Sequence, residues 1–121
     1  MLEDAGRDMK AQLRADLMVA MKERRTLEVK VLRALVAAFD NAEAPSVSKE
    51  PTALVQHDFH SGSAEVERLL LSQSQVHDLL LAEVYERESA AAEMERVGQT
   101  DRAEALRTEA LLTRRYLVAS D

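Results

Sequence analysis

Two oppositely charged residues, Glu83 and Arg87, fall on the apolar side of a predicted helix when the segment is wound at roughly 100° per residue. They are four residues apart, so their side chains can pair with each other. An unpaired buried charge would be costly, so each needs a partner, either within the pair or from Arg33 or Asn41 on another helix. We interpret Glu83 and Arg87 as an internal ion pair that fixes packing. The alternative is a pair that faces a ligand in a groove.

A basic cluster at the corner between the first two predicted helices is the second feature that could do chemistry. It begins with Lys22, Arg24 and Arg25, and the polar arc of the second helix continues it. Cations grouped in this way can bind phosphate, although without interleaved aromatic residues a plain solvated surface is the alternative. The candidate RNA-binding or partner-binding residues are Lys22, Arg24, Arg25, Lys30, Arg33 and Asn41.

The remaining polar groups form weaker patterns. His57 and His60 are one helical turn apart, but no Cys and no third neighbouring His complete a zinc site, so we interpret them as part of a solvated loop. His77 is expected to be exposed on a helix flank. A solvated acidic face is predicted for Glu86, Glu88, Glu93 and Glu95. Because the chain has no nucleophile motif and no glycine-rich phosphate loop, we assign no catalytic, cofactor-binding or metal-binding residue and favour a protein that is not an enzyme.

The first two helices must position the basic cluster. Residues 27–43 are apolar around more than half of the helix circumference, which predicts a helix packed against others. Pro45 disfavours helix at the residue before it, so this helix should stop at Ala44. The first helix is predicted over residues 4–22, and the short link between the two predicts an antiparallel hairpin. Its apolar face should comprise Met9, Leu13, Leu17, Ala20 and Met21.

The third helix has clear boundary signals. Ser72 and Gln75 form an S-x-x-Q capping box, and Leu71 with Val76 occupies the positions of a hydrophobic staple. The helix should continue to about residue 97, where Gly98 takes the left-handed conformation that ends it.

A fourth helix follows, capped by Thr100 or Asp101, and Asp101 with Glu104 has the spacing of a second capping box. Its predicted seam comprises Ala103, Leu106, Ala110, Thr113 and Leu117. Residues 45–71 show no sustained period and predict a long irregular insertion, in which residues 65–71 could be a helical or a strand-like lead-in. The sequence thus predicts an all-α fold in a single domain over residues 1–121, a bundle of about four helices built from two antiparallel hairpins.

The composition narrows the class of protein. The chain has 121 residues, no Cys and a net charge of −6. Residues 1–43 carry eight Lys/Arg and eight Asp/Glu, whereas residues 44–121 carry eight and fourteen. Nucleic-acid binders usually show a basic footprint, which this chain as a whole lacks. No apolar run approaches the roughly 20 residues of a membrane span, so we expect a cytoplasmic protein without a membrane role.

Three blocks of the sequence resemble the GatB/YqeY family. They are VLRALVAAFDNAE at residues 31–43, the E-V-x-x-R step from Glu83 to Arg87, and MERVGQTDRAEAL at residues 94–106 leading to Tyr116 and Leu117. The resemblance covers nearly the whole chain except residues 45–71. It implies a helical N-terminal domain followed by a small helical tail, related to the part of the amidotransferase B subunit that engages tRNA. The chain stops at Asp121, just where that tail would begin, so the tail is expected to be missing from it, either because the natural protein is short or because the sequence is a fragment.

Two functions are expected from these observations. The first is a noncatalytic helical binding module of the GatB/YqeY type, associated with tRNA or with an amidotransferase or synthetase complex. The alternative is a protein-protein interaction or self-assembly domain with no nucleic-acid role, motivated by the acidic second part and by an exposed Leu-rich run at residues 66–71. The sequence does not define the oligomeric state.

Overall fold

The fold is an all-α bundle of two antiparallel hairpins. The computed structural model describes residues 4–45 and 67–119, and these residues form helices but no strand. The helices are α1 (Ala5–Lys22), α2 (Thr26–Glu43), α3 (Gln73–Arg96) and α4 (Thr100–Ala119). Helix α1 packs along α2 and α3 packs along α4, while contacts of α1 with α3 and of α2 with α4 hold the two hairpins together. The predicted fold class is confirmed.

The ends of α1 and α2 follow local chemistry. The carboxylate of Asp4 accepts a hydrogen bond of 3.1 Å from the backbone N–H of Arg7, which satisfies one exposed donor at the start of α1. Arg24 turns the chain between the helices with a φ of 59°, in the left-handed region. Ala44 is extended, as expected for a residue before proline, and α2 therefore ends at the predicted place.

The α3–α4 hairpin also begins and turns as predicted. The hydroxyl of Ser72 accepts from the Gln75 N–H at 3.1 Å, and the Gln75 amide accepts from the Ser72 N–H at 2.9 Å, so the capping box is confirmed. Gly98 has a φ of +83°, and its N–H donates to the carbonyl of Glu95 while that of Gln99 donates to the carbonyl of Met94. This is a Schellman motif.

One predicted boundary of α4 is wrong. Thr100 is its first helical residue, so the predicted cap at Thr100 or Asp101 is one or two positions late. The carbonyl of Gln99 already accepts from the Ala103 N–H, which is the first bond of the helix. The helix begins early because the Schellman turn leads directly into it.

The core is mainly aliphatic and centres on α2, as predicted. Val31, Leu32, Leu35 and Phe39 are at most 1% exposed. The predicted apolar face of α1 is confirmed except at Met21, which is 46% exposed. That residue lies in the last turn of α1, where the chain turns away. The predicted seam of α4 is buried or half-buried throughout.

The segment before α3 closes the end of the bundle. Residues 67–71 are neither helix nor strand. The Leu69 N–H donates to the carbonyl of Glu43 at 2.8 Å, and the carbonyl of Leu71 accepts from Ala5 and Gly6 at 3.1 and 3.3 Å. Leu71 is buried, so the predicted exposed leucine run is wrong at that position, although Leu69 and Leu70 are exposed. Most of the predicted insertion, including His57 and His60, lies outside the described residues.

Candidate functional site

The corner between α1 and α2 presents three cations that form no ion pair within the described part of the chain. Lys22 ends α1, Arg24 forms the left-handed turn, and Arg33 lies on α2, all of them exposed. The Arg33 guanidinium reaches back to the last turn of α1, where it lies 4.0 Å from the sulfur of Met21. Among residues 4–45 and 67–119, no carboxylate forms an ion pair with these three side chains. We call Lys22, Arg24 and Arg33 the basic corner.

Two further predicted binding residues are already paired with carboxylates. Arg25 lies 3.1 Å from Glu23 and 3.1 Å from Glu28. The ammonium of Lys30 lies 3.3 Å from the carboxylate of Glu109. These two cations therefore contribute less to an anion-attracting surface than their number in the sequence suggests.

Asn41 lies at a different place on α2. It is exposed, but eight residues separate it from Arg33, which corresponds to about 12 Å of helix. Its neighbour Asp40 pairs with Lys10 at 2.9 Å and lies 4.0 Å from Arg14. The structure thus does not bring Asn41 into the basic corner.

Glu83 and Arg87 are in contact on α3. The guanidinium Nη1 of Arg87 lies 2.8 Å from Glu83 Oε1 and also donates to the Glu83 carbonyl at 3.0 Å. Their side chains are 22% and 11% exposed, which excludes most water from the pair. Neither Arg33 nor Asn41 joins it. The third member is Glu109 on α4, 3.5 Å from the Nε of Arg87.

Glu109 is a buried carboxylate that the sequence analysis missed. It is 4% exposed and lies near cations from three helices: Lys30 at 3.3 Å, Arg87 at 3.5 Å and Arg102 at 3.9 Å. It connects the predicted ion pair on α3 with the predicted binding residue on α2. A signal was present, because Glu109 lies between Leu106 and Ala110 on the seam of α4.

A second buried ion cluster lies at the opposite end of α2. The ammonium of Lys10 donates to Glu43 at 2.7 Å and to Asp40 at 2.9 Å, and Lys10 and Glu43 are 3% and 1% exposed. Burial by itself lowers the pKa of Lys10, but the hydrogen bonds to the two carboxylates outweigh it, and the net pKa is raised. A Cβ on Gly6 would lie 2.9 Å from a carboxylate oxygen of Glu43 and 3.0 Å from the Cβ of Leu71, so a larger residue there would displace one of them. The buried charges of Lys10 and Glu43 thus face each other.

A buried tyrosine connects α4 to α1. The phenol of Tyr116 donates to the carboxylate of Asp16 at 2.5 Å. Burial, followed by the hydrogen bond and the negative charge of Asp16, raises the pKa of Tyr116. Beside it lies a cleft of about 200 Å³ in which Glu28 holds Arg25 at 3.1 Å and Arg115 at 3.4 Å. The cationic and anionic groups of this cleft balance, so it offers no net attraction to a charged ligand.

The predicted acidic face of α3 is exposed but largely paired. Glu88 contacts Arg114 at 2.8 Å, Glu95 contacts Arg107 at 3.0 Å, and Glu93 pairs with Arg96. His77, expected to be exposed, is half-buried because it directly follows the buried Val76 at the edge of the apolar stripe. Within the described ranges, no group of three or more His, Asp or Glu residues could hold a metal ion.

Comparison with known proteins gives no relative: no protein-family model, curated protein or solved structure matches the chain. The resemblance to the GatB/YqeY family therefore stays a prediction. Of the helices in the described part, none has both the length and the apolar character that a membrane span requires.

Proposed function

We propose that this chain is a noncatalytic helical module of the GatB/YqeY type that binds the phosphate backbone of tRNA at the basic corner. The observation that supports the proposal is that Lys22, Arg24 and Arg33 are exposed and have no carboxylate partner among the described residues. A cation already paired with a carboxylate must give up that partner before it binds phosphate. Within the ranges that the structure describes, these three have no such pair to break.

The basic corner has the chemistry that phosphate recognition uses. The planar guanidinium groups of Arg24 and Arg33 can each donate two parallel hydrogen bonds to a phosphate, while Lys22 supplies a compact point charge. All three lie on or between two packed helices, so their backbones are held in place before binding. The net charge of −6 opposes binding, and we expect affinity to be high only at low salt.

The test is a titration of fluorescently labelled tRNA with the chain, followed by anisotropy at increasing salt. Three phosphate contacts give a slope of about −2 to −3 for the logarithm of affinity against the logarithm of salt concentration, since each contributes about −0.7 to −0.9. Raising the salt from about 50 to about 200 mM should then weaken binding roughly 20- to 40-fold. Absence of binding at low salt would reject the proposal.

A matched pair of variants locates the contact. Arg33→Gln should weaken tRNA binding and reduce the salt slope by about one, because one phosphate contact is lost. Arg7→Gln removes the same charge from an exposed position at the other end of α1 and should leave the slope unchanged. Equal effects of the two substitutions would show that only overall charge matters and would count against a binding corner.

The association with an amidotransferase or synthetase complex is a separate proposal. A pull-down in which both RNA and protein are identified distinguishes it from direct tRNA binding. The alternative function, protein-protein interaction without a nucleic-acid role, is favoured by exposed apolar side chains on α3 and α4.

A further inference from the structure

The outer face of the α3–α4 hairpin carries four large apolar side chains in water. Leu81 and Tyr85 lie on α3, Leu111 and Val118 lie on α4, and they are 46% to 74% exposed. Single exposed apolar residues need no explanation, but a contiguous patch marks an interaction surface. The question is therefore whether these four share one face.

Two ion pairs between the helices, together with the spacing of these residues along each helix, indicate that they do. Glu88 pairs with Arg114, and Glu95, seven residues later on α3, pairs with Arg107, seven residues earlier on α4. These two pairs define the register of the antiparallel helices. This register places Tyr85 within one residue of the level of Val118. The apolar and charged residues on each helix alternate steps of four and three, the spacing of a coiled-coil seam. The α3 stripe is Leu81, Tyr85, Glu88, Ala92 and Glu95, and the α4 stripe is Arg107, Leu111, Arg114 and Val118.

The two stripes are complementary in charge. The charged positions of the α3 stripe are both Glu, whereas those of the α4 stripe are both Arg. A surface that carries both halves of a complementary pattern fits a second copy of itself, because a two-fold interface uses the same patch on both subunits.

We infer that the outer face of α3–α4 binds a second copy of this chain, with the two-fold axis parallel to the hairpin. This axis places α3 of one copy over α4 of the other at the same level, and the four helices form an antiparallel bundle. The facing pairs, with the residue of the second copy named second, are Tyr85 with Val118, Glu88 with Arg114, Ala92 with Leu111, and Glu95 with Arg107. Because the two charged pairs already form within each copy, the dimer brings each of them against the same pair of the other copy in a cluster of two Glu and two Arg. A two-fold axis across the hairpin would instead place α3 over α3 and α4 over α4, so that Glu would face Glu and Arg would face Arg, which like-charge repulsion disfavours.

The size of the face determines the expected strength. The overlap of α3 with α4 is about 20 residues, which corresponds to a length of about 30 Å. Two helices whose axes are about 10 Å apart form a face about 20 Å wide, so the face covers roughly 600 Å². Two copies bury about 1,200 Å², at the lower limit of specific interfaces. The dimer is therefore weak and depends on concentration.

Sedimentation equilibrium of the intact chain at increasing concentration tests the inference, which does not rest on tRNA binding. The expected result is a shift from monomer toward dimer, and Val118→Glu should abolish it by placing a charge opposite Tyr85. Met18→Glu adds the same charge at an exposed position of α1 and should leave the shift unchanged. Circular dichroism verifies that both variants keep their helices. A monomer at all concentrations up to about 1 mM, or equal effects of the two variants, would overturn the inference.

Cysteine pairs test the arrangement, since the chain has no native Cys. One preparation carries Tyr85→Cys and the other carries Val118→Cys. A mixture exposed to a mild oxidant should form a cross-linked dimer much faster than either preparation alone, because only the mixture brings the two thiols together. Met18→Cys mixed with Val118→Cys is the control. Cross-linking no faster than in this control would refute the proposed axis.

Discussion

Replacement of Lys10 by methionine tests how strongly the buried ion cluster at the end of α2 holds the fold. Methionine has a similar length and a similar helix propensity, so the change removes the charge with little loss of packing. Glu43, 1% exposed, would then keep one cationic partner from the described part of the chain, Arg68, whose guanidinium is 3.8 Å away and half-exposed. One oxygen of Glu43 already has no hydrogen-bond partner among the described residues. Leaving such a carboxylate uncompensated costs about 3–5 kcal/mol, a large part of the roughly 5–15 kcal/mol that stabilises a typical domain.

Urea unfolding followed by circular dichroism measures this cost. The midpoint of Lys10→Met should fall while the slope of free energy against urea stays unchanged. The stability of the double variant Lys10→Met/Glu43→Met should recover to within about 1 kcal/mol of that of the original chain or exceed it, because no buried charge remains in this cluster and Asp40 is half-exposed.

A second ion pair supplies the control. Arg114 and Glu88 lie as close as Lys10 and Asp40 do, but both side chains are 46% exposed. Arg114→Met should cost less than about 1 kcal/mol, because water compensates the remaining charge. The reasoning is refuted if Lys10→Met costs no more than Arg114→Met, or if the double variant is as unstable as the single one.

Three further predictions concern glycines and a tyrosine. Gly6→Ala should destabilise the fold by about 1–3 kcal/mol in urea unfolding, despite the better helix propensity of alanine, because its Cβ would lie 2.9 Å from Glu43 and 3.0 Å from the Cβ of Leu71; an unchanged midpoint would contradict this. Gly98→Ala meets no neighbouring atom and should cost only the left-handed strain of about 1–2 kcal/mol, so a larger loss would contradict that account. The variant Tyr85→Phe has Tyr116 as its only tyrosine. When the pH of a solution of the folded variant is raised through about 10, the ordinary tyrosine pKa, tyrosinate absorbance should not develop, because the pKa of Tyr116 is raised. Above that pH the unfolded chain loses a proton that the folded chain keeps, so the free energy of unfolding should decrease; a phenol that ionises at its ordinary pKa in the folded chain would contradict the burial argument.

Features of the fold that depend on neighbouring residues were predictable. The capping box of Ser72 and Gln75, the left-handed Gly98 and the stop before Pro45 are each determined within a few residues, and each lies at its predicted place. The exposure of Met21 was not predictable from the periodicity of α1. Periodicity shows which side of a helix is apolar but does not show where along its length the neighbouring helix ends.

The buried ion clusters show a second limit. Glu83 and Arg87 are visible in the sequence because both lie on one helix, four residues apart. Lys10 and Glu43 are 33 residues apart, so their pairing depends on how α1 and α2 align. The same holds for Glu109, whose cations come from three helices. A single charge on an apolar stripe therefore predicts a partner without identifying it.

The sequence shows how many charged residues lie at the surface, but it does not show which of them are free of ion pairs and can bind a ligand. The sequence places five cations from Lys22 to Arg33, and the structure separates them into three without an ion pair among the described residues and two held by carboxylates. On α3 the exposed Glu88, Glu93 and Glu95 each have an Arg partner. The net negative charge of this face is therefore smaller than its number of Glu residues indicates. Phosphate responds to the charges that remain unpaired nearby, because more distant ones are screened beyond about 10 Å at 0.1 M salt. The net charge of −6 therefore does not exclude RNA binding. The measurement that tests RNA binding is the salt dependence of tRNA affinity and its change on substitution in the basic corner.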